Sequence, residues 1–328
     1  MDEPRVFVTR RIAAQALKQL EGRVQMEVWE GSGPPPRAEL EARMPHLDGL
    51  LSLLTDPLDA EMIALAGPNF RVLSQMAVGT DNIDLAAASA RRIPVGHTPG
   101  VLTEACADFA MALLLAAARR VVEGDREVRA GIWRPWGPDI LVGKDLYGGT
   151  LGIVGFGRIG QAVARRAQGF GMRLLVHDLN PDAQLEKSFG IQFVTLPELL
   201  RQSDFVSIHV YLSPQTRGMF NAETLGQMKP GAVLVNTARG PIVEPQALQA
   251  ALESGRLAAA ALDVFDPEPI PRESPLLAMP NVIITPHIAS AAGQVRLNMA
   301  QIAVENLLLG LAGQPLRFCA NAAALSQT

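Results

Sequence analysis

The stretch Leu151-Gly152-Ile153-Val154-Gly155-Phe156-Gly157-Arg158-Ile159-Gly160 decides how the rest of the chain is read. An apolar run of strand character leads straight into a complete G-x-G-x-x-G, and an Ala-rich helical stretch continues to Gly169. Strand, glycine turn and helix together are the context in which that motif cradles a dinucleotide. Gly155 permits the tight turn, Gly157 lets backbone approach a pyrophosphate, and Gly160 packs helix on strand. Arg158 and Ile159 open the helix, whose N-terminus favours phosphate charge. The bland alternative is a merely tight strand–helix turn.

About twenty residues on, the next expected strand ends at Val176-His177-Asp178. An acidic side chain there accepts from the adenosine ribose hydroxyls and repels a 2′-phosphate. No arginine follows at once, since Leu179-Asn180-Pro181 come next. Asp178 therefore predicts NAD(H) over NADP(H), unless it is only a turn residue ahead of Pro181.

Outward from this unit, β-type runs alternate with Ala/Leu-rich helical stretches, which argues for βαβ units and parallel sheets. After the glycine loop, strands are expected at residues 150–154, 173–177, 205–210, 232–236, 259–264 and 282–285. Six strands make a complete doubly wound unit. Before it, residues 6–8, 24–29, 49–54 and 72–76 read as strands. Residues 13–20, 37–44, 59–66 and 84–90 read as helices between them. One long helix is expected over residues 103–130, followed by a loop at 132–146. A last helix, 292–309, follows the completed second unit and most simply returns to the first. The fold class expected is α/β, with two Rossmann-like doubly wound parallel-sheet domains and a discontinuous first one. The expected domains are residues 1–99 with 288–328, flavodoxin-like and substrate-binding, and residues 100–287, which bind the dinucleotide.

Composition agrees with a globular protein of that size. The chain has 328 residues, 48% hydrophobic, with 29 basic and 33 acidic side chains giving a net charge of −4. That balance argues against nucleic acid, which asks for a basic face. The longest apolar stretch, 109–118, is half the ~20 residues a bilayer span needs. The N-terminus lacks the pattern of a secretory signal, so a cytoplasmic protein without membrane contact is expected. Two cysteines, Cys106 and Cys319, make neither a disulfide framework nor a zinc set, and no metal is expected.

Three further motifs each follow an expected strand: Asn236-Thr237-Ala238-Arg239-Gly240, Asp263-Val264-Phe265-Asp266-Pro267-Glu268-Pro269, and Thr285-Pro286-His287-Ile288-Ala289-Ser290. Ligands of parallel α/β sheets sit beyond the carboxyl ends of strands. Arg239 is a permanent cation able to fork onto a carboxylate and polarise a neighbouring carbonyl. His287 can give a proton to that oxygen as hydride arrives at carbon. Glu268 would stabilise the imidazolium and orient its ring. Singly, each has a structural explanation; downstream of a glycine fingerprint they suit reduction of a small 2-oxo acid. His46, His97, His177 and His209 lack such a setting and read as structural.

These motifs, with Met76-Ala77-Val78-Gly79-Thr80-Asp81 in the first domain, resemble the D-isomer-specific 2-hydroxyacid dehydrogenases over nearly the whole length. The finer resemblance is to the glyoxylate/hydroxypyruvate reductase branch. It rests on residues 98–104, Trp133-Arg134-Pro135-Trp136, Glu268-Pro269-Ile270-Pro271, and Arg296-Leu297-Asn298-Met299. The resemblance implies NAD(P)-dependent interconversion of a 2-oxo acid and a D-2-hydroxy acid, two hinged domains and a homodimer. It implies Arg239, Glu268 and His287 as the catalytic set, and substrate contacts from Val78, Gly79, Arg239, His287 and Trp136. It implies cofactor contacts from Pro214, Thr237, Asp263 and Ser290, beside the glycine loop and Asp178. Trp136 reads either as reaching a neighbouring subunit's pocket or as an interface aromatic. Two departures stand out. Tyr211 replaces a usual proline, and Asp178 is acidic where several glyoxylate reductases are basic.

Other substrates of the family, namely 2-ketogluconate, D-lactate and 3-phosphoglycerate, are the alternatives. The last would want a basic cluster, for which Arg10-Arg11 and Arg91-Arg92 are the candidates. A dinucleotide-sensing binding protein is the alternative from another class.

Overall fold

The computed structural model describes residues 3–326, which divide into two compact units, 3–102 with 291–326, and Thr103–Ser290. In the first unit the strands are β1 (Arg5–Val8), β2 (Gln25–Val28), β3 (Gly49–Ser52), β4 (Val72–Gln75) and β5 (Val95–Gly96). They form one sheet in the order β2-β1-β3-β4-β5, every pairing parallel. β3 and β4 are buried throughout, as a strand covered on both faces must be.

The expected helix at 13–20 is helical only over Ala14–Leu17; beyond it the N–H groups of Gln19 and Leu20 bond at the tighter i,i+3 spacing. The helices Ala60–Ala64 and Leu85–Ala90 begin one residue later than read. Asp59 and Asp84 stand outside them as caps, accepting from the N–H of Met62 and Ala87. The two-residue strand β5 was too short to carry an alternation signal.

The C-terminal helix Gly293–Leu311 packs in this first unit. The Ser74 hydroxyl donates to the carbonyl of Ala303, and a Cβ on Gly310 would lie 2.4 Å from Val72. Only a glycine lets the helix sit that close to β4.

The second unit holds β6 (Thr150–Val154), β7 (Arg173–His177), β8 (Gln192–Phe193), β9 (Phe205–Ile208), β10 (Ala232–Asn236), β11 (Leu257–Leu262) and β12 (Val282–Ile284). Their order is β12-β11-β10-β9-β6-β7-β8, all parallel, so all carboxyl ends lie along one edge. The sheet has seven strands where six were read, because β8 adds a two-residue edge strand. The strand order reverses at β6, which makes its carboxyl end the switch point where such sheets bind ligands.

The single helix expected over 103–130 is two, Thr103–Ala118 and Val121–Arg129. The break has a visible cause. The Lys144 N–H takes the carbonyl of Ala118, and Gly143 passes so near that a Cβ would lie 2.3 Å from that oxygen. Arg120 then turns through a left-handed φ of 53° and pairs with Glu123. The first helix buries one face from Cys106 to Ala118; the second has no buried residue.

Candidate active site

The glycine loop, Asp178 and the motifs bearing Arg239, Asp263 and His287 each leave a carboxyl strand end of the second unit, whereas residues 296–299 lie in the C-terminal helix of the first. After β6, Gly155 takes φ +96° and lies so close to His209 that a Cβ would be 2.7 Å from its carbonyl carbon. A Cβ on Gly160 would lie 2.2 Å from the carbonyl oxygen of Gly155. Both glycines are therefore demanded by the protein's own packing. Gly157 is different: a Cβ there meets nothing within 4 Å. Its side is an open cradle ahead of the helix Arg158–Gly169, the geometry in which backbone N–H groups can meet a phosphate.

Asp178, just past β7, accepts the Phe156 N–H at 2.7 Å through Oδ2 and the Asn180 N–H at 2.9 Å through Oδ1. It thus braces the glycine loop, a role not read from the sequence. A carboxylate offers about four acceptor positions, so these two bonds leave room for hydroxyl donors. Past β9, Thr216 shapes the loop that carries Pro214. Its hydroxyl donates to the carbonyl of Tyr211 and accepts the Ser213 N–H, and Tyr211 is left exposed. Past β10, the hydroxyl of Thr237 is buried with no hydrogen-bond partner among the described residues. An open glycine cradle, an acidic strand end and an orphaned hydroxyl along one edge fit a dinucleotide.

The catalytic candidates occupy the other half of that edge. The His287 Nδ1 lies 2.8 Å from the Glu268 Oε2, with both side chains about three-quarters buried. The Glu268 Oε1 accepts the N–H of Phe265 at 2.9 Å, a second fixing point missed in the sequence. Burial alone would push the Glu268 carboxyl up. The hydrogen bond and charge of His287, the Phe265 N–H and the charge of Arg239 outweigh it and hold the carboxyl below its ordinary range. With Nδ1 engaged by Glu268, Nε2 is the ring nitrogen left for a further partner.

Arg239 leaves β10 in extended conformation, its Nη1 donating to the carbonyl of Ala238 and its own carbonyl taking the Asn236 side-chain amide. His287 has φ +54°, in the left-handed region, which costs a residue with a Cβ roughly 1–2 kcal/mol. Asp263 is fully buried beneath it and binds the same loop; Ser290 ends that loop half-buried.

The other histidines are placed otherwise. His209 lies at the end of β9 with Nε2 2.8 Å from the Ser207 hydroxyl, and burial pushes its imidazole down to about 4. His97 and His177 meet backbone carbonyls, of Val78 and Val194. In the first unit, the carbonyl of Val78 faces His97 and that of Gly79 accepts from the Gln75 side chain. Both carbonyls in the loop after β4 are thus engaged from within that unit. Two of the four candidate arginines for a phosphate are engaged within the first unit: Arg10 bonds Thr9 and Thr55, and the exposed Arg91 donates to the carbonyls of Ile63, Ala64 and Ala66. Among the described residues no cluster could hold a metal ion, and no helix is long and apolar enough to cross a membrane.

Residues 111–289 match the family model "D-isomer specific 2-hydroxyacid dehydrogenase, NAD binding domain". A glyoxylate reductase of Korarchaeum cryptofilum (strain OPF8) is 51% identical over 307 residues, 93% of this chain and 92% of its own. A crystal structure of a Thermus thermophilus protein superposes with a TM-score of 0.90 at 48% identity, covering 96% of this chain and 99% of that one. The NADPH-dependent glyoxylate/hydroxypyruvate reductase of Sinorhizobium meliloti, solved with NADP and malonate, superposes with a TM-score of 0.85 at 32% identity, covering 99% and 98%.

Proposed function

The chain belongs to the D-isomer specific 2-hydroxyacid dehydrogenases, a family of enzymes, and on that premise we propose that it reduces glyoxylate or hydroxypyruvate with NADH. The observation that carries the reading is the 2.8 Å His287–Glu268 pair, set with Arg239 on the same sheet edge as the glycine loop. The relatives named as glyoxylate reductases supply the substrate class.

In this reading Gly155, Gly157, Arg158, Ile159 and Gly160 receive the pyrophosphate, and Asp178 takes the ribose hydroxyls. Thr237, Pro214 and Ser290 complete the cofactor's surroundings, and Asp263 lies behind the loop that carries Ser290. The dinucleotide, when bound, supplies hydride to the carbonyl carbon of the substrate. Arg239 forks onto the substrate carboxylate and draws electron density toward the carbonyl oxygen. His287 gives its Nε2 proton to that oxygen as negative charge develops there. Glu268 stabilises the imidazolium that must stand ready and fixes the ring through Nδ1. Val78 and Gly79 are assigned to the substrate carboxylate by family likeness.

Asp178 supports NADH over NADPH, because a 2′-phosphate would approach a carboxylate with no arginine immediately after it. We also propose a homodimer. Seven large apolar side chains between residues 121 and 147 are more than half exposed, among them Trp133 at 78% and Trp136 at 91%. A patch of that size asks for a covering surface, and a second copy is the occupant the family likeness supplies. A solution mass of a single 35.1 kDa chain would remove that proposal.

The test is oxidation of NADH and of NADPH by purified protein against glyoxylate, hydroxypyruvate, pyruvate, 3-phosphohydroxypyruvate and 2-ketogluconate. The highest kcat/KM is expected for glyoxylate or hydroxypyruvate with NADH. A preference for NADPH would overturn the argument from Asp178 and leave the chemistry standing. Tight NADH binding without turnover of any of these acids would overturn the substrate assignment.

A further inference from the structure

We infer that Asp263 is a positioning residue for His287, acting through the backbone that carries it. Asp263 stands one residue past β11 and is fully buried. Its Oδ1 accepts the Thr285 hydroxyl at 2.7 Å and the Ile288 N–H at 2.9 Å, and its Oδ2 accepts the Ala289 N–H at 2.8 Å. Its main-chain carbonyl takes the N–H of His287 itself at 2.9 Å. Four hydrogen bonds from one residue thus span residues 285–289, with His287 in the middle.

That loop would not hold its shape unaided. His287 sits at φ +54°, which a residue with a Cβ avoids unless its surroundings impose it. Three donors converging on one buried carboxylate impose it, because charge-assisted hydrogen bonds are strong and a buried carboxylate requires them. Glu268 fixes the ring from its Nδ1 side, while Asp263 fixes the main chain beneath it. Together they set the direction of Nε2. An asparagine in place of Asp263 would turn an amide donor toward at least one of these donors.

The inference rests on His287 as the proton donor of the proposed reaction, so its test carries a structural readout of its own. Asp263→Asn and Thr285→Val are made in the full chain. Amide hydrogen exchange at Ile288 and Ala289 is followed, along with kcat and the KM for NADH. In Asp263→Asn, exchange of both amides should accelerate at least about tenfold. Its kcat should fall on the order of 10²-fold, with the KM for NADH within about threefold. In a His287→Ala background the same change should cost nothing further, because residues acting as a unit are not additive. Thr285→Val removes one of the three side-chain bonds. It should lower kcat by about three- to tenfold in the same pattern, and it carries the test if Asp263→Asn does not fold.

Unchanged exchange at both amides would overturn the inference. So would additive losses in the His287→Ala background. A rise of about tenfold in the KM for NADH with kcat intact would instead assign Asp263 to direct contact with the cofactor. If His287→Ala proved as active as the parent, the proton-donor reading would fail, and the exchange result would still decide whether Asp263 holds the loop.

Discussion

Two histidines stand at strand ends on one edge of the same sheet, and they have opposite surroundings. His209, past β9, has its backbone against Gly155 of the glycine loop, meets a serine hydroxyl, and is pushed down to about 4 by burial. His287, past β12, meets a carboxylate that a backbone N–H and a nearby arginine keep ionised. Position on a ligand-binding edge does not make a histidine a proton carrier. The proposed role of His287 rests instead on a carboxylate at one ring nitrogen and an open side at the other, the setting in which a ring can hold a proton and hand it on.

That contrast can be broken by mutation, and the largest effect is expected at His287. His287→Ala should lower kcat for glyoxylate reduction on the order of 10²–10⁴-fold, the usual contribution of a positioned acid. Glu268→Gln should cost less, about 10–10²-fold, since the imidazole remains but loses its charged partner. The parent enzyme should also keep its activity into mild acid. The Glu268 carboxyl is held below the ordinary 4.5, so the pair persists until pH falls through that lowered value. Glu268→Gln should lack that limb of the steady-state pH profile. An acid limb identical in both proteins would contradict the pairing.

His209 sharpens the contrast in a different quantity. Its His209→Asn variant should stay within a few-fold of parental activity while changing the pH dependence of stability. In the folded chain the imidazole stays neutral down to about 4, whereas in the unfolded chain it takes a proton below about 6.5. Stability contributed by the neutral ring is therefore complete above 6.5 and is lost as pH falls from 6.5 toward 4. Thermal midpoints measured across that window should decline less steeply in His209→Asn. Parallel declines would show that burial of His209 carries no such linkage.

Much of this was legible in order along the chain. The strand–glycine–helix context of residues 151–169 and the strand ends bearing Asp178, Arg239, Asp263 and His287 needed only local patterning. Reading failed where distant chain intrudes. The long helix breaks at Ala118 because Gly143 and Lys144 arrive from beyond it, and no residue within 103–130 announces that. The short strands β5 and β8 are too brief for a period to show. The brace between Asp178 and Phe156 joins residues 22 apart, and the clamp of Asp263 joins residues 22 to 26 apart.

By itself, then, the sequence determined two parallel α/β units, a glycine loop of dinucleotide-binding form, and which ionisable side chains stand at strand ends. Those are properties of short windows, where periodicity, glycine spacing and side-chain chemistry act. The tertiary structure alone decided which nitrogen of His287 meets Glu268, that Gly157 faces open space while Gly155 and Gly160 do not, and that Asp263 grips the loop carrying His287. The grip of Asp263 and the pairing of His287 depend on distances of about 3 Å between residues remote in the chain, and the space around a glycine on what packs beside it, which only the folded sheet can set.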